Sequence, residues 1–321
     1  MSEFHVEVVT VGKILPHPNA DRLEIINVRD YPVIIGKGEF QEGDKAIYVP
    51  VTAIVPTQDP RFAFLGDHPR IKAKKLRGVY SQGLLVQADQ DMRVGENVQE
   101  RLGITRWEPE ERFETGGEVE RGPHEIPFYT DIEGLRRYPD VLVPGELVVI
   151  TEKIHGCNAA FSWYQDRLWV RSRRQFKRED SNNLWWKVVD RYGLRERLQT
   201  LPGIVFFGEV FGQVQNLKYG AGKNDLYLRL FDAYSIRLGR YYDYDEFVDL
   251  ADYLKIERVP ELFMGEWDPS LKSLAEGNTT IPRADHIREG FVVRPRKERY
   301  DSQVGRVVLK LIGEGYHLRK D

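Results

Sequence analysis

The chain has 321 residues, 41% of them hydrophobic, which is enough for two domains with real cores. A formal net charge of −3 argues against a protein that coats nucleic acid non-specifically, yet leaves room for a local basic groove. The single cysteine, Cys157, excludes internal disulfides and a cysteine-built zinc site and fits a reducing, cytoplasmic setting; no signal peptide is expected from the first 25 residues, and no apolar run reaches membrane-spanning length.

Residues 4–55 alternate short apolar runs with clusters of Pro, Gly, Asn and Asp. Strands are predicted over residues 6–11, 23–28, 33–35 and 46–51, an all-β pattern that continues through 83–86 and ends near Leu102-Gly103. A first domain over residues 1–105 follows. Within it the stretch 71–77 carries the cations Lys72, Lys74, Lys75 and Arg77. Residues 106–125 crowd Pro, Gly and acidic residues together and lose apolar periodicity, so a linker is expected there, with a second domain over 126–321.

In that second domain the apolar run 147–150 predicts a buried strand. It leads into Thr151-Glu-Lys-Ile-His-Gly-Cys-Asn158. A lysine at the end of such a strand is partly desolvated, which lowers an amine's pKa and makes Lys153 a candidate nucleophile near neutral pH. Gly156 would let the backbone approach a ligand closely. Taken alone, the four residues Lys153 to Gly156 also suit a surface lysine before a turn. A strand-like 168–170 then enters the basic run 171–178. There, alternation puts Arg171 and Arg173 on one face and leaves Arg174 as a solvated cation on the other. One helix is predicted over 184–198, and strands over 205–210 and 226–231. A second helix is predicted over 243–255, where Phe247, Leu250, Ala251 and Leu254 fall at helical spacing behind an Asp243/Glu246 capping box. Strands at 291–293 and 307–309 precede Lys310.

The ordered set Lys153-Ile-His-Gly156, Ser172-Arg173, Phe207-Gly-Glu209, Phe231-Asp232, Glu289-Gly-Phe-Val-Val293 and Lys310 resembles the covalent nucleotidyltransferase superfamily of ATP-dependent ligases and mRNA capping enzymes. Histidine, not aspartate, two residues after the lysine points to the RNA ligase branch. His17-Pro-Asn-Ala-Asp-Arg-Leu23 and Leu76-Arg-Gly-Val-Tyr-Ser-Gln-Gly83 resemble signatures of OB folds found in tRNA-binding modules. An OB domain ahead of the transferase, with Tyr129-Thr-Asp-Ile-Glu133 and Arg136-Arg-Tyr-Pro-Asp140 before the nucleophile, is similar to the DraRnl-type RNA ligases. The fold implied is an all-β OB barrel followed by an α+β nucleotidyltransferase domain, ATP-grasp-like and built on antiparallel sheets.

The resemblance also implies a chemistry. Lys153 would take AMP from ATP with Mg²⁺ or Mn²⁺, pass it to an RNA 5′-phosphate, and a 3′-OH would then displace it. Glu209 and Glu289 are hard oxygen ligands suited to such a metal, although either alone is more commonly a strand surface residue. Arg173 would contact the AMP phosphate or the RNA 5′-phosphate, Phe231 would stack on adenine, and Lys310 would neutralise the α-phosphate. His155 and Asn158 would lie near ribose and phosphates, and Glu152 near the adenine edge. Cys157 is assigned no chemistry. Nucleic-acid contacts are expected from Arg171, Lys72, Lys74, Lys75 and Arg77. One departure stands out: ligases of this group end in two lysines one residue apart, and here Lys310 is single, leaving Arg306 and Arg294 as candidates for the second cation. The expected partner is a nicked RNA duplex with an RNA or DNA template, acted on by a monomer without a membrane. The alternatives are a GTP-using capping-type enzyme and an RNA- or tRNA-binding OB protein with an inactive transferase half.

Overall fold

A computed structural model describes residues 4–107, 118–129 and 132–319. Residues 108–117 of the expected linker lie outside the described residues, as do Thr130 and Asp131 of the segment ahead of the nucleophile. Two compact units emerge. The first comprises residues 1–110, 133–139 and 317–321, and the second residues 111–132 and 140–316.

In the first unit Glu7–Thr10, Lys45–Val49 and Leu84–Gln87 form one antiparallel sheet and Ile14–Pro16, Leu23–Val28 and Tyr31–Gly36 another. Val6, Val8, Ile47, Val49 and Phe62 are buried together in one core, and Ile26, Val33, Ile35 and Tyr48 in a second. The two sequence signatures of this unit meet at a hairpin, Lys74–Leu76 with Val79–Ser81. The His17 ring accepts the Asn19 N–H at Nδ1 (3.1 Å), so its proton sits on Nε2, which donates to the Leu76 carbonyl (3.2 Å). Asn19 adds a bond from its amide to the Arg77 carbonyl (3.0 Å).

The second unit is built on two sheets, antiparallel as expected. Seven strands run in the order Val119–Glu120, Phe176–Lys177, Arg167–Ser172, Cys157–Tyr164, Ile204–Gly212, Leu226–Ser235, Arg240–Tyr241. Phe161, Val170, Phe206, Leu228 and Leu230 join Trp185, Val188, Phe247 and Leu254 of the helices in one large core. The segment 184–198 is two helices, Leu184–Tyr192 and Leu194–Gln199, and not one. Gly193 between them adopts a left-handed conformation (φ 57°), which ends the first helix as glycine commonly does. The third helix, Tyr244–Leu254, starts at the predicted box, with the Asp243 and Glu246 side chains exchanging bonds with each other's backbone. In the second sheet, Leu147–Glu152 lies between Glu261–Glu266 and Gly290–Pro295, and Leu309–Ile312 pairs beyond the latter. Residues 307–308 fall outside that last strand, so Lys310 sits within it, not after it.

Candidate active site

Lys153 follows the central strand Leu147–Glu152 directly, and its N–H donates to the Gly290 carbonyl (3.0 Å). That bond brings Glu289 beside it. The Lys153 ammonium donates to Glu289 Oε2 at 2.9 Å, and His155 Nδ1 lies 3.6 Å from the same oxygen. Thr151, Val292 and Lys310 are register partners across three strands, so their side chains share one face of the sheet. Lys310 thus lies two strands from Thr151, which Lys153 follows by two residues in the chain. Gly290 permits the crossing, because a Cβ there would meet the Leu311 carbonyl at 2.0 Å.

The other sheet supplies Glu209. Its Oε1 accepts the Gly156 N–H at 2.9 Å, and its strand partner is Asn158. A Cβ on Gly156 would lie 2.3 Å from the Val210 carbonyl. The close approach at Gly156 is thus to a neighbouring strand, and this locks the Lys153–Asn158 turn against Glu209. The His155 N–H donates to the Tyr219 hydroxyl (2.7 Å), and the His155 ring lies 3.2 Å from the Tyr316 hydroxyl. Buried Glu152 accepts from both the Thr279 and Thr280 hydroxyls and, at 2.7 Å, from the Thr280 N–H.

The electrostatics of the cluster are those of an anionic cup around one amine. Burial pushes the Lys153 pKa down, but Glu289 and Glu209 outweigh it and the net shift is upward. This corrects the expectation of a depressed pKa: without ligand, Lys153 is a bound ammonium. Burial pushes Glu289 up, while Lys153 and His155 bring it down to about 2. Glu209 gets less help. Burial, reinforced by Glu289, raises it to about 7 despite Lys153. A buried carboxyl raised in this way is short of a cation. Among the described residues no group of three or more His, Cys, Asp or Glu could hold a metal, so any metal here would need oxygens from its substrate as well.

Other expected site residues fall as follows. Asn158 lies on the strand beside Glu209, and its carbonyl accepts from the Trp185 indole (3.0 Å). Phe231 is half-buried on the strand Leu226–Ser235, edge-on to Tyr129 at 4.9 Å. Arg173 lies beyond the end of the strand Arg167–Ser172, exposed, and its charge reaches Lys153 and Glu209. Lys72, Lys74, Lys75 and Arg77 are exposed on and beside the hairpin of the first unit.

Three expectations are corrected. Arg171 is 2% exposed and cannot contact nucleic acid. Its guanidinium donates to the carbonyls of Pro127 (2.6 Å), Arg173 (3.1 Å) and Ser172 (3.2 Å). It does not share a strand face with Arg173, because the strand has already ended. Arg294 and Arg306 are not replacement phosphate cations either. Both are buried against Asp232 (2.9 and 2.7 Å), and both also bind Glu298 (2.6 Å each). Tyr219, Tyr316, Thr279 and Thr280 were missed, and no local pattern in the sequence distinguishes them from other polar loop residues.

The family model described as RNA ligase matches residues 146–312, over half of the chain, and one described as an OB-fold domain matches residues 5–88. No curated protein matches the sequence. Among solved structures the chain is similar to Naegleria gruberi RNA ligase with PPi, with TM-score 0.84 and 26% identity over 98% of each chain. It is similar to a mutant of that ligase with ATP and Mn, with TM-score 0.83 and 25% identity over 97% of this chain and 98% of that one. A mutant with AMP and Mn gives TM-score 0.85 and 25% identity over 98% of each chain. With an OB-fold domain ahead of a sheet-rich α+β domain, the chain belongs to the RNA ligase family.

Proposed function

We propose that the protein is an ATP-dependent RNA ligase of the DraRnl type that seals 3′-OH/5′-phosphate nicks through a lysyl-AMP on Lys153. The observation that carries this is the cup itself: one amine hydrogen-bonded to the buried Glu289 and within the field of a second carboxylate, Glu209. The matched relatives were solved with ATP and Mn, AMP and Mn, or PPi, the substrate, fragment and by-product such a step requires.

In the first step the Lys153 nitrogen attacks the α-phosphorus, the bond to the β-phosphate oxygen breaks, and pyrophosphate leaves. The amine must first lose its proton. Burial already favours the neutral form, and Glu289 and Glu209 oppose it, so the lone pair is freed when those carboxylates turn their charge to another partner. Glu209 and Glu289 would hold Mg²⁺ or Mn²⁺, which would supply charge neutralisation for pyrophosphate. Lys310 and Arg173 face the phosphates, Phe231 stacks on adenine, and His155, Asn158 and Glu152 fix the nucleotide-binding loop. In the second step AMP passes to an RNA 5′-phosphate, and in the third a 3′-OH displaces it. The OB-fold domain binds RNA through Lys72, Lys74, Lys75 and Arg77, and a cytoplasmic setting suits the reduced Cys157 thiol.

The test is labelling. α-Labelled ATP with metal should leave an acid-labile, base-stable label on the wild type and none on Lys153→Ala. Label from GTP alone would move the protein to capping chemistry. No label with either nucleotide, after pyrophosphate treatment to strip bound AMP, would overturn the reading.

A further inference from the structure

A groove of about 410 Å³ lies in the second unit, away from the Lys153 cup, between residues 119–128 and the turn 174–176. Phe128 stands in it 60% exposed, and Val119 is 51% exposed. Arg121, His124 and Arg174 surround them, all exposed. Glu120 is the single acid in the lining, and Arg167 binds it at 2.8 Å. The surface is thus an aromatic ring framed by two arginines, Arg121 and Arg174, with the one carboxylate of its lining paired to Arg167, which is complementary to a base and its phosphates.

Phe128 is held in place by a buried brace. The Arg171 guanidinium lies over the ring, 3.7 Å from its centre, and it donates to the carbonyls of Ile126, Pro127, Ser172 and Arg173. One side chain therefore fixes both the aromatic platform and the turn that carries Arg173 and Arg174. The same turn sends the Arg173 charge to Lys153 and Glu209. The groove and the cup are joined through it.

Resting on the ligase reading above, we propose that this groove seats the RNA strand beside the reacting end. The base face left bare by the break in stacking at a nick lies on Phe128, and the flanking phosphates lie on Arg121 and Arg174. A continuous duplex offers no such bare face, so the groove would serve to tell a nick from intact RNA.

The test uses the full-length protein and two fluorescein-labelled RNA duplexes, one nicked with a 5′-phosphate and one intact, followed by anisotropy. Self-labelling with ATP is measured in parallel without RNA. Phe128→Ala should weaken binding to the nicked duplex by about tenfold, as loss of one stacked base does, with a smaller effect on the intact duplex and label formation within about twofold of wild type. Phe128→Trp should restore nick binding. Arg174→Gln should lower the salt slope by about one. Equal binding of both duplexes by wild type and Phe128→Ala would overturn the proposal. So would a Phe128→Ala protein that loses self-labelling and RNA binding together, since the ring would then only brace the cup. Failure of the wild type to label with any nucleotide would strike the ligase reading instead, and the anisotropy comparison would still decide whether the groove reads nicks.

Discussion

Asp232→Asn should destabilise the second unit far more than its one-atom change suggests. The carboxylate is fully buried and accepts from Arg294 (2.9 Å), Tyr129 (2.8 Å) and the Ala233 N–H (2.9 Å), with Arg306 at 2.7 Å. Asp232 and Glu298 balance the charges of Arg294 and Arg306. The asparagine keeps the shape but leaves one net positive charge in the core and turns an N–H₂ toward donors. Breaking a buried ion cluster this way costs about 3–5 kcal/mol. With a urea slope of about 2–3 kcal/mol/M, the midpoint should fall by about 1 M or more. Tryptophan fluorescence is a suitable probe, because Trp163, Trp169, Trp185, Trp186 and Trp267 report on this unit and Trp107 alone on the other. Burial pushes the Asp232 pKa up, but Arg294 and Arg306 outweigh it and the net shift is downward. Its stabilisation is therefore full above about pH 4 and is lost as pH falls through the folded value, so wild type and variant should converge in acid. Asp245→Asn, which breaks the exposed pair with Arg296, is the control and should leave the midpoint where it is. A midpoint for Asp232→Asn within about 0.3 M of wild type, under 1 kcal/mol on the same slope, would refute the reasoning.

Further outcomes follow from the cup and its brace. Glu209 is raised to about 7, so its ionisation begins to cost stability above about pH 4.5, where the unfolded carboxyl loses its proton, and the cost is full above about pH 7. Glu209→Gln should thus raise the unfolding free energy from urea titration at pH 8 by on the order of 1–3 kcal/mol, and leave it unchanged at pH 4 while abolishing self-labelling. Glu289, lowered to about 2, acts in the opposite sense: its contribution is present above about pH 4.5 and disappears toward pH 2, and Lys153→Ala should flatten that acid limb in a stability-versus-pH series. Tyr316→Phe removes a hydroxyl from His155. It should slow self-labelling about two- to tenfold, the worth of one neutral hydrogen bond, at an unchanged melting temperature. Arg171→Lys loses the planar fork that spans four carbonyls. It should cost about 1–3 kcal/mol in denaturant titration without altering the salt slope of RNA binding, where a direct phosphate contact would lower it.

The motifs around Lys153, Glu209 and Glu289 were legible because each sits at the end of, or within, an apolar strand whose period is plain. The strand 23–28 and the capping box at Asp243 were legible for the same local reasons. What the chain did not disclose was where cations go once folded. Arg171, Arg294 and Arg306 look like surface charges in a highly charged sequence, yet each is buried by partners distant in the chain. The sign of the Lys153 shift was missed for a related reason: burial was foreseen from one strand, but the carboxylates that outweigh it come from two others. The break at Gly193 was visible as a glycine and was overridden by the apolar period on either side.

The position of the strand Leu147–Glu152 also sets a timetable. Both of its neighbours, Glu261–Glu266 and Gly290–Pro295, lie more than a hundred residues downstream, and Glu152 is fastened to Thr280 across 128 residues. On a ribosome the OB-fold strands can pair early, whereas the strand that leads into Lys153 has no partner on either side until most of the chain has emerged. Nascent chains and fragments ending before residue 289 therefore carry Lys153 without the Glu289 that holds it, so the competent cup is among the last features of the protein to be assembled.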